Sequence, residues 1–416
     1  MAIDAIEAPV AVAVLGHVDS GKSTLIGQLL VQTGMVSTEE LSKTAEAAEN
    51  AGKADMAYAW LTDRRSNERE RGITVDFASL PLRSSRGALT IVNTPGHTKY
   101  LKHAVWGTST ADCALIVVSA PSALFAAEFY ERSGQVQEFC KLAFAQGIRQ
   151  LVIAVNKMDD FSVVYEEAQF RDVADSMLHY LRRVGFKDEN VTFVPTSAWS
   201  GENLTTPCAL MSWYKGPTLL DALHNLQPPR RFANKPLRMP IQATYNIRDV
   251  GHVLFGRVET GVVRRGMAIV IGPNSLRATV LSIHHHQQDV VAAGPGCHVG
   301  ICIGESKVKF RRGMVVSDPK CDPAVAALSV TAQLVLLHTP STPFKSSASS
   351  SCTVTPSESS APCQQFSANW IAKRGRSRGQ PRGESLTWAK RLWWSCSRPK
   401  PSSWSRSVST QGSHGS

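Results

Sequence analysis

Short, nearly unbroken apolar runs punctuate the first half of the chain, at residues 10–15, 113–119, 151–155 and 191–195. Strands buried on both faces read this way, because neither face needs polar side chains. Between them fall segments with apolar residues at helical spacing, such as Leu25-Ile-Gly-Gln-Leu-Leu30. A charged, alanine-rich helix over 37–50 opens on a Ser/Glu start signal. A further strand is expected over 88–92. Strands alternating with helices predict an α/β fold, doubly wound around a mostly parallel sheet, with ligands at the C-terminal strand ends.

The pattern changes after Pro228-Pro-Arg-Arg-Phe-Ala-Asn-Lys-Pro236, a proline-rich basic linker. From Met239 to about Asp318, short β-branched runs alternate with turns, as in Gly251-His-Val-Leu-Phe-Gly-Arg-Val258, and predict a small antiparallel β-barrel. Within it, His284-His-His286 reads as a solvated strand end, since consecutive strand residues alternate faces and converge poorly on a metal. Arg311 and Arg312, before Gly313, read as a solvated turn.

A third barrel starts at Leu328-Ser-Val-Thr-Ala-Gln-Leu-Val and then loses its period. The expected organisation is a nucleotide domain over 1–230, a barrel over 231–320, the start of a third domain over 321–345 and a Ser/Arg/Trp-rich tail over 346–416. The tail holds 20 serines and five of the nine tryptophans. It is expected to be disordered or the product of a frameshift near 339–350. Trp388-Ala-Lys-Arg-Leu-Trp-Trp-Ser-Cys-Ser-Arg398 can be encoded by DNA that, read one base earlier, gives the strand-like Met-Gly-Glu-Ala-Ala-Val-Val-Glu-Leu-Gln-Pro-Lys.

Candidate chemistry begins where the first strand ends. Gly16-His17-Val18-Asp19-Ser20-Gly21-Lys22-Ser23-Thr24 lies between that strand and a helix, the context a phosphate-binding loop requires. Glycines allow a tight turn whose N–H groups point inward, and the helix N-terminus adds partial positive charge. Lys22 is placed to reach β- and γ-phosphates, and the Ser23 hydroxyl to ligate Mg²⁺. A charged run from Arg64 then ends in Arg71-Gly72-Ile73-Thr74. Such a run is ordinarily a solvated face. Between a phosphate loop and the next strand, however, Thr74 becomes a candidate to close over a γ-phosphate and supply a second Mg²⁺ ligand.

The strand at 88–92 runs into Asn93-Thr94-Pro95-Gly96-His97. Nucleotide switches carry here an aspartate that holds Mg²⁺ through water, and a glycine whose N–H senses the γ-phosphate. Gly96 is present, but the acidic position holds Asn93, which can bond a metal-bound water without supplying charge. His97 is the candidate to orient the attacking water. Asn156-Lys157-Met158-Asp159 ends the next buried strand. An Asp159 carboxylate can accept from both N1–H and the N2 amino group of guanine, a pattern adenine lacks, and so selects GTP over ATP. Asn156 would brace the loops, the Lys157 stem would pack on the ring, and Ser197-Ala198 would offer a backbone N–H to guanine O6.

Taken together, Gly-His-Val-Asp-Ser-Gly-Lys-Ser-Thr (16–24), Glu-Arg-Glu-Arg-Gly-Ile-Thr (68–74), Pro-Gly-His (95–97) and Asn-Lys-Met-Asp (156–159) resemble the translational GTPases, in the elongation factor 1-alpha group. Ala57-Tyr-Ala-Trp60, Trp213-Tyr-Lys-Gly216 and Gly256-Arg-Val-Glu-Thr-Gly261 extend the likeness over about residues 8–345. The resemblance implies a cytoplasmic, monomeric GTPase using GTP/GDP and Mg²⁺. It implies delivery of aminoacyl-tRNA to the ribosomal A site, reloading by a guanine-nucleotide exchange factor, and a barrel that moves against the nucleotide domain. By position it places Lys22, Ser23 and Thr74 on phosphate and Mg²⁺, His97 on the hydrolytic water, and Asn156, Asp159 and Ser197 on guanine. Release-factor and ribosome-rescue relatives share these motifs and form the alternative within the family. The alternative of another class is a nucleotide-binding protein that does not hydrolyse and acts through its surfaces. Asn93, where the family normally has aspartate, and the broken third barrel favour it.

Charge changes this picture little. The formal net charge is +11, but residues 1–345 hold 35 basic and 32 acidic side chains while the tail holds 10 and 2. The excess therefore does not mark the folded part as a polyanion-binding surface. Nine cysteines without a CxxC pair fit a reducing compartment. No apolar run reaches transmembrane length, and the first residues lack the basic and apolar regions of a signal peptide. No membrane association is expected.

Overall fold

The computed structural model describes residues 8–325, apart from positions 64, 132, 133, 249, 286, 287, 306 and 307, together with two short paired strands, Cys352–Val354 and Ser357–Ser359. The expected third-domain segment from 326 onward, and most of the tail, lie outside the described residues.

The nucleotide domain runs β1 (Val10–Leu15), α1 (Lys22–Gln32), α2 (Thr38–Asn50), α3 (Ser66–Arg71), β2 (Ala78–Ser84), β3 (Gly87–Asn93), α4 (Leu101–Thr108), β4 (Cys113–Ser119), α5 (Ser122–Phe129), α6 (Val136–Ala145), β5 (Leu151–Asn156), α7 (Glu167–Val184), β6 (Val191–Pro195) and α8 (Leu219–His224). Its sheet has the order β2-β3-β1-β4-β5-β6, with β2 antiparallel to β3 and the other pairs parallel. Every residue of β4 and β5 is buried, which explains their unbroken apolar runs. Successive β4 residues feed opposite cores. Ile116 and Val118 pack with Phe139, Met177 and Leu181, whereas Leu115 and Val117 pack with Leu25, Leu29 and Leu219. Both faces are thus covered by helices, and the loops at the C-terminal strand ends are left to build the site.

The second domain runs β7 (Met239–Ile247), β8 (Gly251–Arg257), β9 (Val263–Arg264), β10 (Ala268–Gly272), β11 (Leu276–Thr279), β12 (Ser282–His285), β13 (Gln288–Val290), β14 (Ala292–Ala293), β15 (His298–Cys302) and β16 (Val315–Ser317). Strand β11 pairs with β10 at one side of the row, and β12 pairs with β15 near the other. Only Val280 and Leu281 separate β11 from β12, and their N–H groups bond Met267 and Cys302 carbonyls at 3.0 and 2.8 Å. One bent strand therefore joins both sides and closes the sheet into a barrel around Ile241, Leu254, Ile283 and Ile301.

Two readings of the barrel need correction. His285 is not solvated: it is buried, with Nδ1 2.9 Å from the His298 carbonyl oxygen, while His284 points outward. Among the described residues no cluster of three or more His, Cys, Asp or Glu side chains is placed to hold a metal. Arg312 is not solvated either, because its guanidinium stacks on Trp106 of α4 at 4.2 Å.

The barrel seats against the connection between α4 and β4. The Asp112 carboxylate there is 1% exposed and pairs with Arg257 of β8 and, at 3.0 Å, with Arg231 of the linker. It also accepts from the Ala11 N–H at 3.0 Å. His298 Nε2 lies 3.1 Å from the Thr110 carbonyl oxygen.

Candidate nucleotide site

The phosphate loop forms because its backbone takes positive φ at Gly16 (φ 151°), Asp19 (φ 60°) and Gly21 (φ 91°), the last just before α1 begins at Lys22. A side chain at Gly21 would collide with the Asn156 amide, so this turn needs glycine on two counts. The N–H groups opening α1 then face a cavity of about 430 Å³ at the ends of β1, β3 and β5.

Lys22 is buried, and its ammonium donates to the His17 carbonyl oxygen. Burial pulls its pKa down to about 8. A lysine with a lowered pKa is neutral above that pH and must take up a proton when phosphate arrives. GDP binding is therefore expected to take up almost no proton at pH 7 and most of one at pH 9. Affinity should fall up to tenfold per pH unit above about 8. Calorimetry in two buffers of different ionisation enthalpy reads this directly, and no uptake at pH 9 would contradict it.

The segment between α2 and β2 wraps the far side. Ser23 Oγ and Thr74 Oγ1 stand 3.1 Å apart. Neighbouring ligands of an octahedron with metal–oxygen bonds of roughly 2.1 Å are separated by about 3.0 Å, so these hydroxyls fit one edge of a Mg²⁺ site. Thr74 also donates to Asp63 Oδ1 at 3.1 Å, and burial pushes the Asp63 carboxyl up to about 6. The Nδ2 of Asn93 is 3.5 Å from Ser23 Oγ, and its buried Oδ1 has no partner. An orphaned acceptor beside two hydroxyls and a carboxylate suits a hydrated divalent cation.

The charged run before Thr74 is not simply a solvated face. Glu68 is buried and accepts from the Val75 and Asp76 N–H groups at 2.9 and 3.3 Å. Arg69 donates to the Asp63 and Trp60 carbonyls at 2.8 and 3.1 Å and stacks on Trp60. These buried bonds fix the Thr74 loop.

Gly96 approaches Lys22 so closely that a side chain there would meet the ammonium and the Gly16 carbonyl. His97 follows and lines the same cavity. Its Nδ1 accepts from the Lys99 N–H at 3.1 Å, so the neutral ring carries its proton on Nε2.

At the base end, Asn156 joins two loops. Its Nδ2 donates to the Ser20 carbonyl at 2.9 Å, and its Oδ1 accepts from the Ala198 N–H at 2.8 Å. Lys157 (φ 65°), Asp159 and Ala198 line the cavity. So do Val18, Asp19, Ser23, Thr24 and Thr74. Gly16, His17, Ser20, Asn93 and Ser197 do not line it; they support the loops from behind. Asp63 and Trp199 line it too and were missed by sequence reasoning. Trp199 is 57% exposed, an aromatic face at the base end that only its place after Ala198 could have flagged.

With this geometry in hand, comparison with known proteins is decisive. The family model for the elongation factor Tu GTP-binding domain matches residues 7–229, and that for elongation factor Tu domain 2 matches 251–317. The chain belongs to this family of translational GTPases. It is 40% identical to elongation factor 1-alpha of Euglena gracilis over 332 residues, covering 80% of this chain and 74% of the relative. It is 39% identical to that of Xenopus laevis over 342 residues, covering 79% and 74%. The S. cerevisiae Ski7 GTPase-like domain, solved with GTP, superposes with a TM-score of 0.68 over 82% of each chain at 17% identity, a likeness of fold alone. The matched domain is a GTP-binding one, so the cavity is a guanine-nucleotide site. The release-factor and rescue reading is not favoured, since these curated relatives are elongation factors. Among the described residues, no helix is long and apolar enough to cross a membrane.

Proposed function

We propose that the chain binds GTP with Mg²⁺, hydrolyses it, and carries aminoacyl-tRNA to the ribosome in the cytoplasm as a monomer reloaded by an exchange factor. The observation that carries this reading is the convergence of Lys22, Ser23, Thr74 and His97 on one cavity whose other end holds Asp159. Lys22 and the α1 N-terminus neutralise phosphate charge as it shifts toward the leaving oxygen. Ser23 and Thr74 would hold Mg²⁺, which would supply further neutralisation of phosphate charge. With Nδ1 engaged, His97 offers Nε2–H as a donor. It orients the attacking water through that water's lone pair, and the water's proton goes to the transferred phosphate rather than to the imidazole. A second cavity, of about 700 Å³, lies between Leu30 and Leu80 of the nucleotide domain and Phe255 and His298 of the barrel. Its apolar walls suit the aminoacylated end of a tRNA.

Asn93 favours the second reading, a protein that binds nucleotide without turning it over. Restoring the carboxylate separates the two. In the first reading, wild-type chain hydrolyses GTP only with Mg²⁺, and Asn93→Asp lowers the Mg²⁺ concentration for half-maximal rate about tenfold, one unit of charge-assisted bonding to a metal-bound water. A wild-type chain that retains GTP unchanged, with turnover restored in the variant, establishes the second reading.

A further inference from the structure

The stretch from His97 through α4 carries its rings in one row. Centroids lie 6.1 Å apart for His97 and Tyr100, 6.3 Å for Tyr100 and His103, and 5.0 Å for His103 and Trp106. A spacing of three residues keeps them on one side of a helical stretch. Each ring beyond His97 is gripped from another element. Arg71 donates to the Tyr100 hydroxyl at 3.1 Å, and Asp76 pairs with His103 Nδ1 at 2.7 Å. The Arg312 guanidinium lies 4.2 Å from the Trp106 ring and 5.8 Å from Phe77. Arg71 and Asp76 flank Gly72-Ile73-Thr74, which lines the nucleotide cavity, so two grips come from the loop that carries that wall. The third comes from the barrel, where Arg312 Nε donates to the Gln242 carbonyl at 2.6 Å.

Trp106 is buried, and next to it Gly107 approaches so closely that a side chain would collide with Thr94 and Phe77. The helix therefore has little freedom to slide at this end while the stack is in place. Lys102 reaches the same ring at 5.5 Å, but it belongs to α4 and cannot tether that helix to the barrel.

We propose that Arg312, through its stack on Trp106, is a positioning residue for His97, so that hydrolysis depends on the barrel being seated. The inference rests on the hydrolytic role given to His97 above. A guanidinium over an indole face is favourable when both are desolvated, and Arg312 spans the domain boundary at the end of α4 farthest from His97. Helix α4 is a short rigid lever between them. His97 opens that stretch, with the Tyr100 N–H bonded to its carbonyl at 2.9 Å, so a helix released at Trp106 loosens the histidine's own turn.

The test uses the full chain with a non-hydrolysable GTP analogue bound and follows hydrogen exchange at residues 97–108, with β7 and β8 as the control that the barrel remains folded. Arg312→Ala is expected to raise exchange at 97–108 several-fold, including the amides of 97–100. Arg312→Lys, which keeps a cation, should restore most of the protection. Single-turnover GTP hydrolysis should fall about tenfold in Arg312→Ala with GTP affinity unchanged. Trp106→Phe, which keeps an aromatic face, should stay close to wild type, and Trp106→Leu should copy Arg312→Ala. Unchanged exchange at 97–100 in Arg312→Ala and Trp106→Leu overturns the proposal, as does raised exchange with a normal hydrolysis rate. A wild-type chain that does not hydrolyse GTP defeats the proposed function separately, and the exchange arm still decides whether Arg312 holds the histidine.

Discussion

Asp159→Asn is expected to weaken GDP binding at least 100-fold while making xanthosine diphosphate a good ligand. A carboxylate accepts from both N1–H and the 2-amino group of guanine. Hydrogen bonds to a charged group contribute about 1.5–3 kcal/mol each, and losing one while opposing an amide N–H to the 2-amino group costs roughly 3 kcal/mol. Xanthine carries a carbonyl oxygen in place of the amino group, which an asparagine amide can donate to. The variant should then bind xanthosine diphosphate within about tenfold of the wild-type affinity for GDP, since both hydrogen bonds are made, now between neutral groups rather than to a carboxylate. Nothing in the phosphate loop changes, because its brace is Asn156, bonded to Ser20 and Ala198. Competition against a fluorescent guanine nucleotide measures both affinities. A variant that keeps GDP within threefold would show that the carboxylate does not read the base, and that Trp199 stacking or backbone bonds dominate.

The sequence made some of this architecture plain for physical reasons that can be named. Strands β4 and β5 are buried along their whole length, so their apolar runs had no competing interpretation. The phosphate loop and the Asn156–Asp159 segment are local in the chain, and local geometry fixes their chemistry. What escaped is non-local. Asp63 matters because it meets Thr74 eleven residues on, inside a stretch without regular period. Glu68 sits among charges and is buried only because the loop folds back over it. Arg312 looks like any basic residue before a glycine, and its partner Trp106 lies in the other domain. A composition rule reads such charges as solvated because most are. It fails where a second domain arrives to cover them.

The same blind spot hides the residue on which the domain seat depends. Asp112→Asn is expected to destabilise the chain by about 3–5 kcal/mol, the range for breaking a buried ion pair from one side. The carboxylate is 1% exposed, and its two guanidinium partners are 10% and 19% exposed, so water cannot replace the lost charge. Asparagine keeps one acceptor oxygen for the Ala11 N–H but removes the carboxylate that both arginines share, leaving Glu259, 3.7 Å from Arg257, as the anion beside them. Arg231 cannot withdraw easily: it also donates to the Pro295 carbonyl at 2.8 Å and lies over Gly296, where a side chain would occupy its place. The strain should therefore fall on the domain contact, not on either core. Urea unfolding with GDP bound is expected to show a lower midpoint for the barrel, and a separate transition where the wild type has one. Because Arg257 shares the site, Asp112→Asn and Arg257→Gln should be non-additive, with a coupling of about 1–3 kcal/mol. A midpoint unchanged in Asp112→Asn would mean that the His298–Thr110 and Arg312–Trp106 contacts hold the seat without the ion cluster, and that the aspartate is there only to cap the turn before β4.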